Sequence, residues 1–381
     1  MRQTGPGEAG FDIAVIGGGL HGLSAALNLA RAGRRVVVIE KSWTGRHASG
    51  ATAAGVRTLY RDVAEVPISL EAMEMWHGIA GIVGDDCGFH AHGQLRIAET
   101  QEHMPALRQR EERMRALGYD HEELIGANEL RRLVPALSPH CVGALIARRD
   151  GAADPHRTIM AYRRACEAAG VTIVEGCGVE GAERTGDDWL LACGERRFRA
   201  PVVINAAGAW AARIARLFGD EIALGVRASM MIATERLGPL LEPVVSVVGR
   251  SLSFKQSDQG TLVIGGGLQG SADLDRERST VDFANLAKGA RAASDLFPVV
   301  KGVRIARCWT GIEAQTADHI PVIGVSPNAP GLFHAFGFWG HGFQLVPVVG
   351  AILADLVREG ATRREIAAFA PQRLMQEKAA A

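Results

Sequence analysis

The chain has 381 residues, with 42 Lys and Arg against 42 Asp and Glu. That length asks for two structural units sharing a large buried core, and the zero formal charge removes the basic footprint of nucleic-acid or anionic-membrane binding and suits a small or zwitterionic substrate. The six cysteines, Cys87, Cys141, Cys166, Cys177, Cys193 and Cys308, form no CxxC pair and no cluster, which argues against a metal site or redox-disulfide motif and for buried free thiols.

Residues 1–10 are polar and Gly-rich without the apolar stretch of a secretory signal, so a cytoplasmic protein is expected. No run approaches the roughly 18 apolar residues of a membrane span, and 343–356 reads as a buried helix. An apolar run at 12–16, then Gly17, Gly19 and Gly22, a helical stretch Leu20–Arg31 stopping at Gly33, and a β-branched run at 35–39 closed by Glu40 predict a βαβ unit. Stretches 67–81, 100–117 and 127–133 read as helices charged on one face, with a short strand at 94–98, and resemble a cap region. Asp154 and Pro155 open a helix that ends at Gly170, and a strand at 171–174 returns the chain to the first unit. A strand at 202–204 runs into a turn at 205–208, with a short helix from Trp210. Strand-like runs at 230–234, 244–248, 252–255 and 261–264 predict a separate mixed sheet, closed by a helix over 281–296. From Val303 the order is strand, Pro-rich turn, strand at 332–336, Gly-rich turn, and a helix to Glu359 capped by Gly360. Residues 1–75, 146–225 and 303–381 are assigned to a nucleotide unit, and 76–145 and 226–302 to a substrate unit.

The first glycine motif has a mechanical logic. Gly17 allows the tight turn after Ile16, Gly19 lets backbone amides reach a pyrophosphate, and Gly22 lets the helix pack on the strand, while Leu20 and His21 sit at the electropositive helix start. Glu40, about 20 residues on, suits ribose hydroxyls and repels a 2′-phosphate, with Lys41 beside it. NADP is disfavoured, and NAD and FAD both remain open. A second match, Gly265, Gly267 and Gly270, leads into the polar stretch 271–279, where no helix packs back. It is rejected as a nucleotide turn and read as a strand end and surface loop.

The opening motif combined with Ala48-Ser49-Gly50, the run 203–210 (Val-Ile-Asn-Ala-Ala-Gly-Ala-Trp), Cys308-Trp309-Thr310-Gly311 and the run 337–343 (Gly-Phe-Trp-Gly-His-Gly-Phe) resembles the D-amino-acid oxidase superfamily. Within it the chain is similar to the branch of glycine oxidase, sarcosine oxidase β subunits, opine oxidase subunits and D-hydroxyproline dehydrogenases. The resemblance implies an α/β fold: a Rossmann-like FAD-binding domain of the glutathione-reductase type with an interleaved α+β substrate domain on a mixed sheet. FAD is implied over NAD, and it is expected to be noncovalent because the spacing around Cys308 differs from that of the flavinylated cysteine of monomeric sarcosine oxidase. Ser49 and Gly50 resemble the loop passing the pyrophosphate and flavin, and Val179 the residue meeting the adenine. Ala207, Gly208 and Trp210 lie at the sheet's carboxyl edge, and Gly311 on the strand after Cys308. Gly337, Gly340, His341, Gly342, Phe343 and Gln344 resemble the segment facing the flavin pyrimidine edge.

The chemistry the resemblance implies is hydride transfer from a carbon beside an amine to flavin N5, leaving an imine that water hydrolyses. Two departures stand out: Glu313 occupies the position of glycine oxidase's carboxylate-binding arginine, and Gln344 that of the lysine after the Gly-His-Gly-Phe run in monomeric sarcosine oxidase. Arg57, Arg61 and Lys255 are the replacement anchor candidates, His341 is a candidate flavin-polarising donor, and Tyr60, His92 and Trp339 are candidate pocket walls. The expected activity is oxidation of a D-amino or imino acid such as D-hydroxyproline. The alternatives are an opine or sarcosine/glycine oxidase-type subunit of a larger complex, and a noncatalytic FAD-binding subunit. Expected partners are a small-molecule substrate and either heteromeric subunits or further copies of the chain, with no nucleic acid and no membrane span.

Overall fold

The run expected as the first strand is Ile13–Ile16, and it lies inside a six-stranded sheet ordered Val322–Val325, Leu332–Phe336, Val202–Asn205, Ile13–Ile16, Val36–Ile39, Thr172–Val174. All neighbours are parallel except the first pair. The computed structural model describes residues 8–375; the chain ends, including most of the stretch read as polar and leaderless, lie outside the described residues. Both faces of this sheet are covered, as parallel strands require. Ile13, Val15, Val36 and Val38 pack against helices Leu20–Arg31 and Gly342–Glu359, while Ala14, Ile16, Val37 and Ile39 pack against Trp189, Leu191 and Phe198.

The second layer belongs to a meander, Gly181–Thr185, Asp188–Cys193 and Arg196–Ala200, extended by Glu8–Gly10. Sequence reading did not identify these three strands, because their outward residues are charged and their apolar residues few. Cys177 and Cys193 are joined as a disulfide, which corrects the expectation of six free thiols: residues 16 apart in sequence are brought together where the meander folds back. Cys87, Cys141, Cys166 and Cys308 are free.

The second sheet has eight strands, ordered Ile305–Gln315, Gly225–Arg236, Thr261–Gly265, Ser253–Gln256, Val244–Val247, Gln94–Ala98, Gly143–Ala147, Glu123–Gly126. Only Val244–Val247 and Gln94–Ala98 pair in parallel. Two boundary expectations are corrected. Residues 305–315 hydrogen-bond along Gly225–Arg236 and so extend this sheet rather than the nucleotide unit, and a boundary at 146 would cut Gly143–Ala147, which pairs with Gln94–Ala98. The helix Val66–His77, expected in a cap, packs instead on the last helix, with Trp76 Nε1 donating to the Gln344 carbonyl at 2.8 Å.

Period-two alternation gives the sheet two unlike faces. Leu95, Ile97, Val245, Phe254, Leu262 and Ile264 form a buried cluster with Ala292, Ala293 and Leu296 of the helix Phe283–Leu296. The alternate residues, including Gln94, Arg96, Ser246 and Lys255, face the nucleotide unit across a cavity. Local signals bound two helices as expected, with Asp154 accepting from the Arg157 amide at 2.8 Å, Pro155 in the first turn, and Gly360 ending the last helix at φ +74°; Asp282, not singled out in the sequence, caps a third by accepting from the Asn285 amide at 2.8 Å. No helix among the described residues is long and apolar enough to cross a membrane.

The first and last long helices cross where Gly350 meets Ser24: a Cβ on Gly350 would lie 2.1 Å from Ser24 Oγ and 2.7 Å from the Ser24 carbonyl carbon. Gly350→Val is expected to destabilise the fold by about 1–3 kcal/mol or more through overpacking and to lower the urea midpoint. Gly81→Ala, with nothing within 4 Å of the added methyl, is expected to leave that midpoint unchanged or raised.

Candidate active site

Gly17 turns at φ +113°, and a Cβ there would sit 2.4 Å from the Ala206 carbonyl oxygen. Gly22 touches the same turn, since its Cβ would fall 2.0 Å from the Gly17 oxygen. Glycine is therefore demanded by the close passage of three backbone segments. The helix that follows begins at Gly19 without a side-chain cap. Ser49 Oγ accepts from the Leu20 amide at 3.0 Å, so the 48–51 segment is tied to the helix start. Glu40 is nearly buried and accepts from the amides of Gly18 at 2.7 Å and Ser42 at 2.8 Å. Burial pushes its carboxyl above the usual range, against those two donors and Lys41.

Lys41 Nζ lies 2.9 Å from Glu277 and 3.0 Å from the centroid of the Trp210 ring, and Trp210 Nε1 donates to the Leu274 carbonyl at 3.1 Å. Leu274 and Glu277 belong to the rejected second glycine motif. Its polar tail folds into a hairpin, Ser271–Asp273 with Arg278–Thr280, that carries no helix. The hairpin is more than the surface loop expected, because its tip reaches the nucleotide unit and lines the cavity.

At the other end, Gly337 and Gly340 take φ +84° and +75° and lead into the uncapped start of Gly342–Glu359. His21 stacks on Phe338 with ring centroids 3.7 Å apart, and burial pushes its imidazole down to about 3, against a hydrogen bond with the Gly342 backbone. The opening and late glycine segments thus touch, and both line one cavity of about 940 Å³. Ile16, Gly17, Gly19, Leu20, His21, Glu40, Lys41, Ser49, Val179, Ala207, Gly208 and Trp210 lie on its wall, as do Gly337, Gly340, His341, Gly342 and Phe343. Two helix N-termini without side-chain caps face the same space, which suits a ligand with negative or electron-accepting groups at two separated points. An elongated flavin dinucleotide fits these residues: the Gly19 amide, the start of the first helix and Ser49 would hold its pyrophosphate, Glu40 its ribose, and the Phe343 amide at the start of the last helix its pyrimidine edge.

Some candidate residues lie off the cavity. Gly22 and Gly50 serve backbone packing, the latter against the Gly45 carbonyl at 2.5 Å from its would-be Cβ, and Gly311 lets its strand press on Ala51 at 2.7 Å. Gln344 is fully buried; its Nε2 donates to the Ser69 carbonyl at 2.7 Å and its Oε1 accepts from Arg61 Nη2 at 3.0 Å. Arg61 is only 2 % exposed and also donates to the carbonyls of His341 at 3.1 Å and Arg57 at 3.0 Å. It braces the late glycine turn and cannot meet a substrate. His92 is exposed and stacks on His90 away from the cavity.

The substrate wall carries Arg57, Lys255, Tyr60 and Trp339 as expected, and Arg96, which sequence reading missed. The signal for Arg96 was present: Gln94 and Arg96 alternate with Leu95 and Ile97, so the strand offers one polar face. The 57–60 segment is fixed by the buried Asp150, which accepts from Thr58 N at 2.8 Å, Thr58 Oγ1 at 2.6 Å and Leu59 N at 2.9 Å. Tyr60 is held at φ +58°, its amide donating to Glu122 at 2.6 Å. Glu313 also faces the cavity, accepts from Ser229 Oγ at 2.5 Å and from the Gly340 amide, and is pushed upward by burial. Trp339 Nε1 donates to the same Ser229 hydroxyl at 3.2 Å. His341 Nδ1 stands 3.1 Å from Glu65, and burial holds its imidazole below the ordinary value, against the neighbouring Glu65.

The chain is 28% identical over 380 residues to the sarcosine oxidase beta subunit of Rhizobium meliloti (strain 1021), covering 97% of this chain and 89% of the relative. It is 25% identical to an opine oxidase subunit of Rhizobium meliloti over 97% of this chain and 99% of the relative. The crystal structure of glycine oxidase from Geobacillus kaustophilus superposes with a TM-score of 0.89 at 25% identity, covering 96% and 99% of the two chains. That of L-proline dehydrogenase from P. horikoshii does so with 0.88 at 25% identity, covering 95% and 97%. The DAO family model, described as FAD dependent oxidoreductase, matches residues 12–356, and the chain belongs to this family of FAD-dependent oxidoreductases.

Proposed function

We propose that the chain oxidises the carbon beside the nitrogen of an amino or imino acid, a D-amino or imino acid such as D-hydroxyproline being the class considered first, and works either alone or with partner subunits in the cytoplasm. The observation that carries this reading is the continuity of one cavity from the opening glycine turn, past the 337–342 turn, to the polar face of the eight-stranded sheet. Relatives named as sarcosine and opine oxidase subunits support both the amine chemistry and a heteromeric setting.

Bound FAD supplies a hydride acceptor at flavin N5. The chain's own contribution is orientation and exclusion of water. Arg57 and Lys255 hold the anionic end of the substrate, while Glu313, beside the Gly340 amide, accepts a hydrogen bond from the nitrogen and can take its proton. Loss of that proton leaves the lone pair that expels the hydride. The carbon–nitrogen bond becomes an imine, and water then releases the amine and a carbonyl compound. The amides at the start of the last helix and the helix dipole favour negative charge at the pyrimidine edge.

Three outcomes test the reading. Anaerobic mixing of the FAD-loaded protein with D-amino acids, N-methyl amino acids and opines is expected to bleach the oxidised flavin band with at least one of them; a band unmoved by every amine would dismiss the catalytic assignment. Arg57→Met removes a charge-assisted contact of about 1.5–3 kcal/mol, so kcat/KM should fall roughly 10- to 150-fold with FAD still bound.

The third outcome concerns pH. Burial pushes the Lys255 ammonium down to about 8, although Asp154 and Asp258 act to hold it up. The cation is therefore present below pH 8 and lost above it. Binding of an unreactive carboxylate, followed by its perturbation of the flavin spectrum, should weaken as pH rises through about 8, and Lys255→Arg should move that limb to higher pH. A dissociation constant flat from pH 7 to 9 (roughly one unit either side of that value) would remove Lys255 from the anchor.

A further inference from the structure

The cations on the cavity wall fall into two groups. Lys41, Arg213 and Arg250 each face a carboxylate, Glu277 at 2.9 Å, Asp275 at 2.7 Å and Glu99 at 2.6 Å. Arg57, Arg96 and Lys255 line the same cavity and, like Arg46, which donates to Ser42 Oγ at 2.7 Å near the nucleotide turn, make no ion pair among the described residues. Arg57 donates to the Leu59 carbonyl at 2.7 Å, Arg96 lies over the Tyr60 ring at 4.2 Å from its centroid, and Lys255 donates to the Ala153 carbonyl at 3.2 Å. Arg96 Nε is buried without a hydrogen-bond partner.

The backbone of residues 54–60 gathers the three. Ala153, which holds Lys255, donates its amide to the Ala54 carbonyl at 3.0 Å. Arg57 follows three residues later, and Tyr60 presents its ring to Arg96. Lys255 and Arg96 stand on strands separated only by Val244–Val247, about 10 Å apart across the sheet, and both sit on its cavity face. Burial lowers Arg57 most and Arg96 lowers it further, against Glu65, Asp150 and Glu122; Glu122 likewise acts on Arg96, and Asp154 and Asp258 on Lys255. Cations removed from water without a direct ion pair carry a desolvation cost that a bound anion offsets. One carboxylate can join Arg57 to a single neighbour, and the intervening strand sets the bases of Arg96 and Lys255 apart, so two carboxylates match the three cations better than one.

We propose that the substrate is an amine bearing two carboxylates, one held by Arg57 with Arg96 and the other by Lys255. This rests on the reading of the cavity as a site of amine oxidation and narrows it. Glu313 lies outside the cluster, beside Ser229 and the Gly340 amide, which separates the nitrogen's place from that of the two anions. Glycine, sarcosine and D-hydroxyproline, with a single carboxylate, leave part of the cluster unpaired and are poor substrates, so within amine oxidation the two-carboxylate amine takes precedence over D-hydroxyproline.

The test uses the FAD-loaded full chain. Titrations with acetate, malonate and succinate are read from the oxidised flavin spectrum, and anaerobic flavin reduction is compared for sarcosine and iminodiacetate, which differ by one carboxylate. A charge-assisted pair is expected to make binding at least about tenfold tighter for a dianion than for acetate, and kcat/KM at least about tenfold higher for iminodiacetate than for sarcosine. Arg96→Met and Lys255→Met, checked for FAD content and melting temperature, should each bring both ratios toward one. Ratios of one or below in the unaltered protein overturn the two-carboxylate substrate, and flavin reduction by sarcosine would then leave amine oxidation standing. Tight dianion binding with no amine able to reduce the flavin has the opposite meaning: the two-carboxylate site stands and amine oxidation falls. Ratios unchanged in both variants overturn the assignment to these residues.

Discussion

The crossing of the first and last long helices at Ser24 and Gly350 decides the rest of the site. Because Gly350 lacks a side chain, Gly342–Glu359 lies directly on Leu20–Arg31, and two helix starts more than 300 residues apart in sequence open toward one cavity. Neither start is capped by the side chain of its own N-cap residue; Ser49 takes the Leu20 amide and the Phe338 carbonyl those of His341 and Gly342, which leaves the Gly19 and Phe343 amides for water or a ligand. The contact between His21 and Phe338 repeats the same constraint at the cavity itself, with a stacked pair drawn from the two ends of the chain. Arg61 adds a third tie from within the protein, holding the His341 carbonyl and the Gln344 side chain in place.

Above this frame, the eight-stranded sheet uses its alternation twice. Its inner face secures the substrate unit by burying Leu95, Phe254, Leu262 and Ile264 against the helix Phe283–Leu296, each such side chain contributing about 1.5–3 kcal/mol. Its outer face is free of that duty and holds Gln94, Arg96, Ser246 and Lys255. The two units are clasped by Lys41 with Glu277 and by Arg213 with Asp275, so the hairpin that follows the second glycine motif closes the nucleotide end of the cavity.

How much of this was legible follows from the range of the interactions. The βαβ unit at 12–40 was readable because its signals are local: strand periodicity, three glycines at turn spacing, and an acid at the next strand end. The helix caps Asp154 and Gly360 are local in the same sense, and the late glycine run was recognisable as a motif. The fate of Arg61 was not readable, since its burial depends on Gln344 and His341 from the far end of the chain. Gly311 looked like a cofactor residue because it sits in a family motif, but it serves the approach of its strand to Ala51. The Cys177–Cys193 pair left no trace in spacing, because the meander that joins the two cysteines has strands too polar on their outward side to register. Arg96 was legible in retrospect from the alternation of Gln94–Ala98, and was passed over because that strand was read as part of a cap.

An anchor on the sheet face, as proposed, would let Glu313 and Gln344 stand where the enzymes that this chain resembles carry basic residues, without loss of a polar site. Side chains on the cavity face of a strand make no contribution to the packed face behind them, so a positive charge can be absent from the cavity-lining residues 312–314 and present on Ser253–Gln256 or Gln94–Ala98 while the core stays the same. Gln344 could not simply be exchanged in this way, because it is fully buried and its amide satisfies Arg61 and Ser69 together; a lysine there would lose the acceptor that Arg61 needs. The charge pattern is thus set by two different constraints, free substitution on the sheet face and hydrogen-bond satisfaction beneath the glycine turn. Together they move the positive end of the cavity toward residues 54–60 and leave an acid beside Gly340.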